Sequence, residues 1–216
     1  NTYTVPNSVI SATPLTGTIS ASTTATHGST VGITIRPATG YHVFDILEDG
    51  TTIGAPAVAA LLTGGTHTTS AVTANKTVAV EYEINTYTIP SSVTSGTGTI
   101  DPDEPDPVVN HGSDQTFTIT PGTGYHVSAL VVDGVPIADL GAAGIVVDDI
   151  STPSTYTISN VVDSTRSIAV TFAINTYTVP SSVTSGTGTI TPVDPIVNHG
   201  SDQVFTITPG TGYHIS

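Results

Sequence analysis

Apolar and polar residues alternate along much of the chain with a period of two. Residues 166–174 place Ile168, Val170, Phe172 and Ile174 on one face and Ala169, Thr171 and Ala173 on the other. Residues 76–84 repeat the pattern, with Val78, Val80, Tyr82 and Ile84 opposite Ala79, Glu81 and Glu83. Alternation with charge confined to one side predicts a half-buried strand. A second predicted strand buries Phe117 and Ile119, with Thr116, Thr118 and Thr120 facing out. Its counterparts bury Ile33 and Ile35, with Arg36 in the last outward slot, and Phe205 and Ile207. Pro-Gly-Thr-Gly at 121–124 turns the chain into a strand opened by Tyr125. There Tyr125 and Val127 share one parity while Leu130 and Val132 take the other, which predicts a bulge near Ser128 and Ala129. Asp49-Gly50 and Asp133-Gly134 are hairpin signals. No segment carries a 3.6-residue apolar stripe; the best helical candidate, residues 57–62, is short. The expectation is all-β, with six or seven short strands per repeating unit.

That unit is explicit. Asn1-Thr-Tyr-Thr-Val-Pro returns as NTYTIP at Asn85 and as NTYTVP at Asn175, at periods of 84 and 90 residues. SSVTSGTGTI occurs identically from Ser91 and Ser181. The twenty residues from Val109 return from Val197 with two changes. The first unit is more diverged but in phase through His27-Gly28, Ile33, Ile35 and Gly40-Tyr41-His42. Repeats therefore span 1–84 and 85–174, with the first half of a third at 175–216. A repeat of this length can hold its own small core. The predicted fold is a set of tandem small β-domains, β-sandwich or β-grasp-like without a substantial helix. Residues 80–89 and 170–179 cross the boundaries without a Gly-, Pro- or Ser-rich spacer, and burial parity flips near Asn85 and Asn175. One extended segment thus closes one domain and opens the next, a stiff connection that would join the domains end to end as a rod.

Composition narrows the function. Three Lys+Arg stand against 17 Asp+Glu, for a net charge of −14. This argues against nucleic acid, whose phosphates are met by Lys and Arg, and against docking on anionic membranes. No apolar run approaches the length that spans a bilayer. Cysteine is absent, which removes disulfides, thiolate catalysis and zinc-thiolate sites. Methionine is absent too, so the chain is expected to begin after processing or to be a window on something longer. With 42 Thr and 21 Ser, the polar surface is built from hydroxyls rather than Lys and Glu. That balance suits a secreted, strand-rich protein better than a catalyst.

The motifs G-T-G-T-I, V-N-H-G, Q-x-F-T-I-T-P, G-Y-H, V-D-G and S-I-A-V-T-F together resemble the divergent internalin B-type repeat of bacterial and archaeal surface proteins. The resemblance covers essentially the whole chain. It implies small β-domains related to a β-grasp-like unit, carried in tandem arrays as stalks, spacers or adhesive segments. The first repeat departs from the pattern between Thr52 and Thr73, where an Ala/Gly/Thr stretch replaces the usual hairpin spacing.

Candidate chemistry is sparse. The pairs His27/His42, His111/His126 and His199/His214 each keep a 15-residue separation, and two imidazoles on adjacent strands could bind a metal. No third ligand recurs beside them, so turn and rim motifs copied with the unit are the expected origin. Asp101, Asp103, Glu104 and Asp106 place four carboxylates within six residues, the one weak Ca²⁺ candidate of note. Alternating prolines there favour an extended segment that points carboxylates apart, and the matching loop of the third repeat keeps only Asp194. Asp148-Asp149 is a further weak candidate. No catalytic residue and no cofactor are expected. The single Lys, Lys76, leaves little scope for intramolecular Lys–Asn bonds, and Asn75-Lys76-Thr77 is the one glycosylation sequon.

The expected function is a non-catalytic structural segment of an extracellular or cell-surface stalk, fibre or adhesin. Its expected partners are neighbouring repeats of the same or an identical chain. The alternative is a carbohydrate-binding module of a secreted protein, which would need exposed coplanar Tyr3, Tyr87 and Tyr177, because Tyr41, Tyr125, Tyr213, Phe117 and Phe172 fall where the repeat wants core. The third copy lacks the V-D-G hairpin and the closing S-I-A-V-T-F strand. Phe205 and Ile207 are then expected to need cover, from a chain continuing past Ser216 or from a strand donated by a neighbour.

Overall fold

A computed structural model describes residues 1–10, 16–145 and 152–216. The first repeat holds β1 (Thr2–Val5), β2 (Asn7–Ile10), β3 (Gly17–Ile19), β4 (Thr23–Thr26), β5 (Gly32–Pro37), β6 (Tyr41–Glu48), β7 (Thr51–Thr52), β8 (Gly65–Thr68) and β9 (Val78–Ile84). A five-residue helix, α1 (Ala55–Ala59), lies between β7 and β8. The second repeat holds β10 (Thr86–Thr88), β11 (Ser91–Ser95), β12 (Gly98–Asp101), β13 (Val108–Asn110), β14 (Gln115–Pro121), β15 (Tyr125–Val132), β16 (Val135–Pro136), β17 (Ser154–Ile158) and β18 (Ile168–Ile174). The third has β19 (Thr176–Thr178), β20 (Gly188–Thr191), β21 (Ile196–Asn198) and β22 (Thr206–Pro209). Apart from α1, every regular element among the described residues is a β-strand. Each full repeat has nine strands among the described residues, more than the alternation predicts, because ladders of two or three residues are too short to leave a period.

Both full repeats use the same three sheets. A two-stranded ribbon pairs β1 with β4, and β10 with β13. A three-stranded sheet runs β3-β5-β8, and β12-β14-β17. A four-stranded sheet runs β2-β9-β6-β7, and β11-β18-β15-β16. In the last, the closing strand β9 or β18 is central: it pairs in parallel with β2 or β11 and antiparallel with β6 or β15. A strand with two neighbours in its sheet and one face on the core explains the Ile/Val/Phe parity seen in the sequence. Val78, Val80 and Tyr82 are buried on that face, as are Ile168, Val170 and Phe172.

The bulge predicted near Ser128 and Ala129 is present, and the first repeat carries a matching one that was not predicted. The β15–β18 register shifts between Val127 and Ala129, and the β6–β9 register shifts between Val43 and Asp45. The bulge turns Phe44 outward, 54% exposed, while Val43 and Ile46 stay buried. At the hairpins Asp49 and Asp133 have φ of 50° and 54°, followed by Gly50 and Gly134 at 79° and 75°, the left-handed pair that a two-residue hairpin demands. Asp133 Oδ2 also lies 3.3 Å from Arg166 Nε, and Asp49 Oδ2 lies 3.4 Å from Lys76 Nζ.

The chain gathers into two compact units. One comprises Asn1–Thr88, Val108–Asp114 and Ser159–Ser164; the other comprises Ile89–Pro107, Gln115–Ile158 and Thr165–Ser216. The core of the first is built on Val5, Ile33, Ile35, Val43, Ile46, Val78 and Val80. The core of the second is built on Phe117, Ile119, Val127, Leu130, Ile158, Val170 and Phe172. The third repeat is different. It forms only the ribbons β19–β21 and β20–β22. Ile207, expected in a core, is 53% exposed where its counterpart Ile119 is fully buried, and Tyr213 is 54% exposed.

Candidate functional site at the repeat joints

The parity flip at Asn85 has a physical cause. Buried positions run Val78, Val80, Tyr82 before it and Ile89 after it. Asn85 stands between β9 and β10, which belong to different sheets. Its backbone N–H donates to the Gly40 carbonyl at 2.8 Å, and its own carbonyl accepts from the His111 N–H at 2.8 Å. Its side-chain Oδ1 accepts from His42 Nδ1 at 2.8 Å. An amide oxygen can only accept, so this bond places a proton on His42 Nδ1. The His111 ring packs against Gly40: a Cβ built there would come within 2.2 Å of the ring. Gly40 also has φ +81°, so glycine is required twice over. Tyr87 completes the group, its OH 3.2 Å from His111 Nδ1 and its ring centroid 6.0 Å from the imidazole.

The second joint reproduces the first. Asn175 N–H donates to Gly124 O at 2.8 Å, Asn175 O accepts from His199 N–H at 2.8 Å, and His126 Nδ1 donates to Asn175 Oδ1 at 2.7 Å. A Cβ on Gly124 would again meet the His199 ring at 2.2 Å, and Tyr177 stands 6.1 Å from that ring. The first repeat opens with half of the same arrangement, Tyr3 standing 5.9 Å from His27 and the His27 N–H donating to Asn1 O at 3.1 Å.

This geometry rearranges the histidine pairs read from the sequence. The two histidines of one repeat do not share partners: His111 belongs to the joint that opens its repeat and His126 to the joint that closes it. Tyr3 and Tyr87 are half-buried against imidazoles tilted by about 50°, rather than forming an exposed sugar platform; Tyr177 is 48% exposed.

The acidic loop also has local work. Asp106 Oδ1 accepts from the Ser91 backbone N–H at 3.0 Å, and Asp103 Oδ1 lies 3.3 Å from Ser91 Oγ. In the third repeat Asp194 Oδ1 accepts from Ser181 N–H at 2.8 Å, and in the first Ser22 Oγ does the same for Asn7 at 3.0 Å. The recurring geometry is a clasp on the residue that opens β2 and β11, Asn7 and Ser91, and on the matching Ser181. Asp101 and Glu104 are exposed and take no part. No group of three His, Asp or Glu placed to hold a metal ion occurs among the described residues. Asp148 and Asp149 lie outside the described residues. Cores and ladders should hold the fold without Ca²⁺, so a chelator should move the melting temperature by no more than about 2 °C. A fall of tens of degrees would make the acidic loop a structural Ca²⁺ site.

One charged cluster escaped sequence reading. Glu48 accepts from His67 Nε2 at 2.7 Å, from Ser70 Oγ at 2.7 Å and from Lys76 Nζ at 3.0 Å, and its side chain is 13% exposed. Lys76 Nζ also lies 2.8 Å from Ser70 Oγ. The signal available was a Glu where the second repeat has Val132, on the buried parity. A Ser–Lys pair invites a nucleophile reading, but catalysis would need a neutral amine. The hydrogen bond to Glu48 raises the Lys76 pKa, reinforced by Asp49, so the amine stays charged and the cluster serves as a brace. Burial, the largest single influence on Glu48, raises its pKa; the bonds from Ser70, Lys76 and His67 together outweigh it and hold the carboxyl at about 2, against an ordinary 4.5. Folding therefore favours the ionised form. Its stabilisation is full above pH 4.5 and is lost as pH falls toward 2. Thermal melts across that window should show Glu48→Gln less stable than the parent at pH 7 and less sensitive to acid. Parallel pH curves for the two would exclude the brace.

No family model, curated protein or solved structure matches the chain.

Proposed function

We propose that this chain is a non-catalytic structural segment of an extracellular or cell-surface stalk, fibre or adhesin, its repeats following one another end to end. The observation that carries this reading is the duplicated joint. In two copies of the arrangement the three hydrogen bonds among Gly, His and Asn agree within about 0.1 Å, and the Tyr–His ring centroids stand 6.0 and 6.1 Å apart. A chain whose role is to hold its domains in a fixed succession needs the boundary preserved, and here the boundary keeps the same interlock while loops such as 101–107 and 191–195 diverge. The hydroxyl-rich, strongly acidic surface and the resemblance to surface-protein repeats point the same way. An enzymatic role finds no support in the Glu48 cluster, whose amine is held in its charged form.

Gold-labelled antibodies raised against this chain should decorate extended structures on intact cells that produce it. Label confined to the interior of permeabilised cells would contradict an exterior structural role.

A further inference from the structure

Asn75, Lys76 and Thr77 form a sequon, and the fold uses two of its residues in the same way in both full repeats. Lys76 stands where the second repeat has Arg166, 3.4 Å from Asp49 as Arg166 is 3.3 Å from Asp133. Thr77 stands where the second repeat has Ser167. Its backbone N–H donates to Asp49 Oδ1 at 2.7 Å, as that of Ser167 donates to Asp133 Oδ1 at 2.9 Å. The hairpin and closing strand therefore account for a cation followed by a hydroxyl residue. They do not account for the asparagine, whose place is taken by Thr165 in the second repeat. Of the eight asparagines in the chain, only Asn75 has Ser or Thr two residues on, and the residue between is not proline.

The local geometry gives the two ends of the Asn75 amide different surroundings. Asn75 lies in the segment between β8 and β9 and is exposed. Its Oδ1 accepts from the Thr4 N–H at 3.1 Å. Its Nδ2 has no hydrogen-bond partner among the described residues. A sugar on Nδ2 replaces one amide hydrogen and leaves Oδ1 as an acceptor. The folded structure can thus carry a glycan at Asn75 without giving up a hydrogen bond.

We propose that Asn75 is an N-glycosylation site, its Nδ2 carrying a saccharide delivered by an oligosaccharyltransferase from a polyprenyl-diphosphate-linked oligosaccharide. In that transfer Nδ2 bonds to the anomeric carbon of the sugar. The bond from that carbon to the diphosphate oxygen breaks, polyprenyl diphosphate leaves, and one Nδ2 proton passes to a base on the transferase. In the folded chain the backbone N–H groups of Lys76, Thr77 and Val78 are all engaged, with Thr4 O at 3.1 Å, Asp49 Oδ1 at 2.7 Å and Pro6 O at 3.1 Å. A transferase that must bend the sequon into its own site therefore acts before β9 closes its sheet, and the fold then presents the product to solvent. The inference rests on the exterior placement proposed above, because lipid-linked sugars are transferred to chains that cross a membrane.

The test is peptide mass spectrometry, with fragmentation that keeps side-chain modifications, on the chain purified from the cells that produce it. The peptide spanning residues 71–82 should carry a saccharide mass localised to Asn75, and peptides holding the other asparagines should carry none. Asn75→Gln and Thr77→Ala should each lose the saccharide, while Thr77→Ser should keep it. Thr77→Ala gives up only a 3.4 Å contact from its hydroxyl to Asp49, so its fold should survive. A bare Asn75 in chain recovered from the cell exterior would overturn the site and leave the exterior role standing. A bare chain confined to the cell interior would overturn both. Saccharide found on Thr or Ser hydroxyls alone, or retained at Asn75 in Thr77→Ala, would also overturn the proposal.

Discussion

Replacing Phe172 with alanine should cost the second repeat about 3–5 kcal/mol, as truncation of a buried aromatic does when the surroundings cannot collapse. Phe172 is 3% exposed and centred in its sheet, between β11 and β15. The surface beneath it is made of Gly96 and Gly98, which carry no side chain that could swing into the vacated space. The cavity therefore persists, and its cost adds to the lost burial. Glu83→Ala is the matched control on the closing strand of the first repeat. Its side chain is 57% exposed and its carboxylate is no closer than 3.8 Å to His42 Nε2, so the change should stay within about 0.5 kcal/mol. Denaturant melts giving similar losses for the two would show that the buried face is assigned wrongly.

The second large effect is expected at the joint. Gly124→Ala combines two penalties. The left-handed backbone, φ +78°, costs an L-residue about 1–2 kcal/mol by itself. The new methyl would also stand 2.2 Å from the His199 ring, which must leave its place beside Tyr177. Gly134→Ala separates the terms, because Gly134 has φ +75° but open space around its missing Cβ. Gly124→Ala should therefore be the more destabilising of the two by at least about 1 kcal/mol. It should also be the one that speeds hydrogen exchange at the amides of Asn175 and His199. Equal losses, with those amides still protected, would mean that the imidazole is not packed on the glycine in solution.

The parts of the fold that were legible in the sequence are those where local pattern and repetition coincide. The closing strands and the bulge at Ser128 show in parity alone, since one inserted residue moves every later side chain to the other face. Asp-Gly at 49–50 and 133–134 announces a turn because few residue pairs tolerate two successive left-handed conformations. The joint was only half legible. The parity flip at Asn85 and Asn175 revealed that something happens there, but the contacts that matter link residues 43 and 49 positions apart. The constant 15-residue spacing of the histidines was a by-product of duplication, and it drew attention to pairs that do not share partners. The Glu48 brace left no periodic trace at all, being confined to one repeat and assembled from residues on β6, β8 and the loop before β9. Helix α1 was visible only as an alanine-rich stretch too short for a 3.6-residue stripe.

The proposed end-to-end succession of repeats is the central claim, and small-angle X-ray scattering on the isolated chain tests it most directly. A chain of this length folded into one compact body would have a radius of gyration of about 17 Å. Domains some 30 Å across following one another through interlocked joints should instead give about 22 Å or more, with a rod-like tail in the pair-distance distribution. A value near 17 Å with a symmetric distribution would contradict the array and leave the joints as internal contacts of a globule.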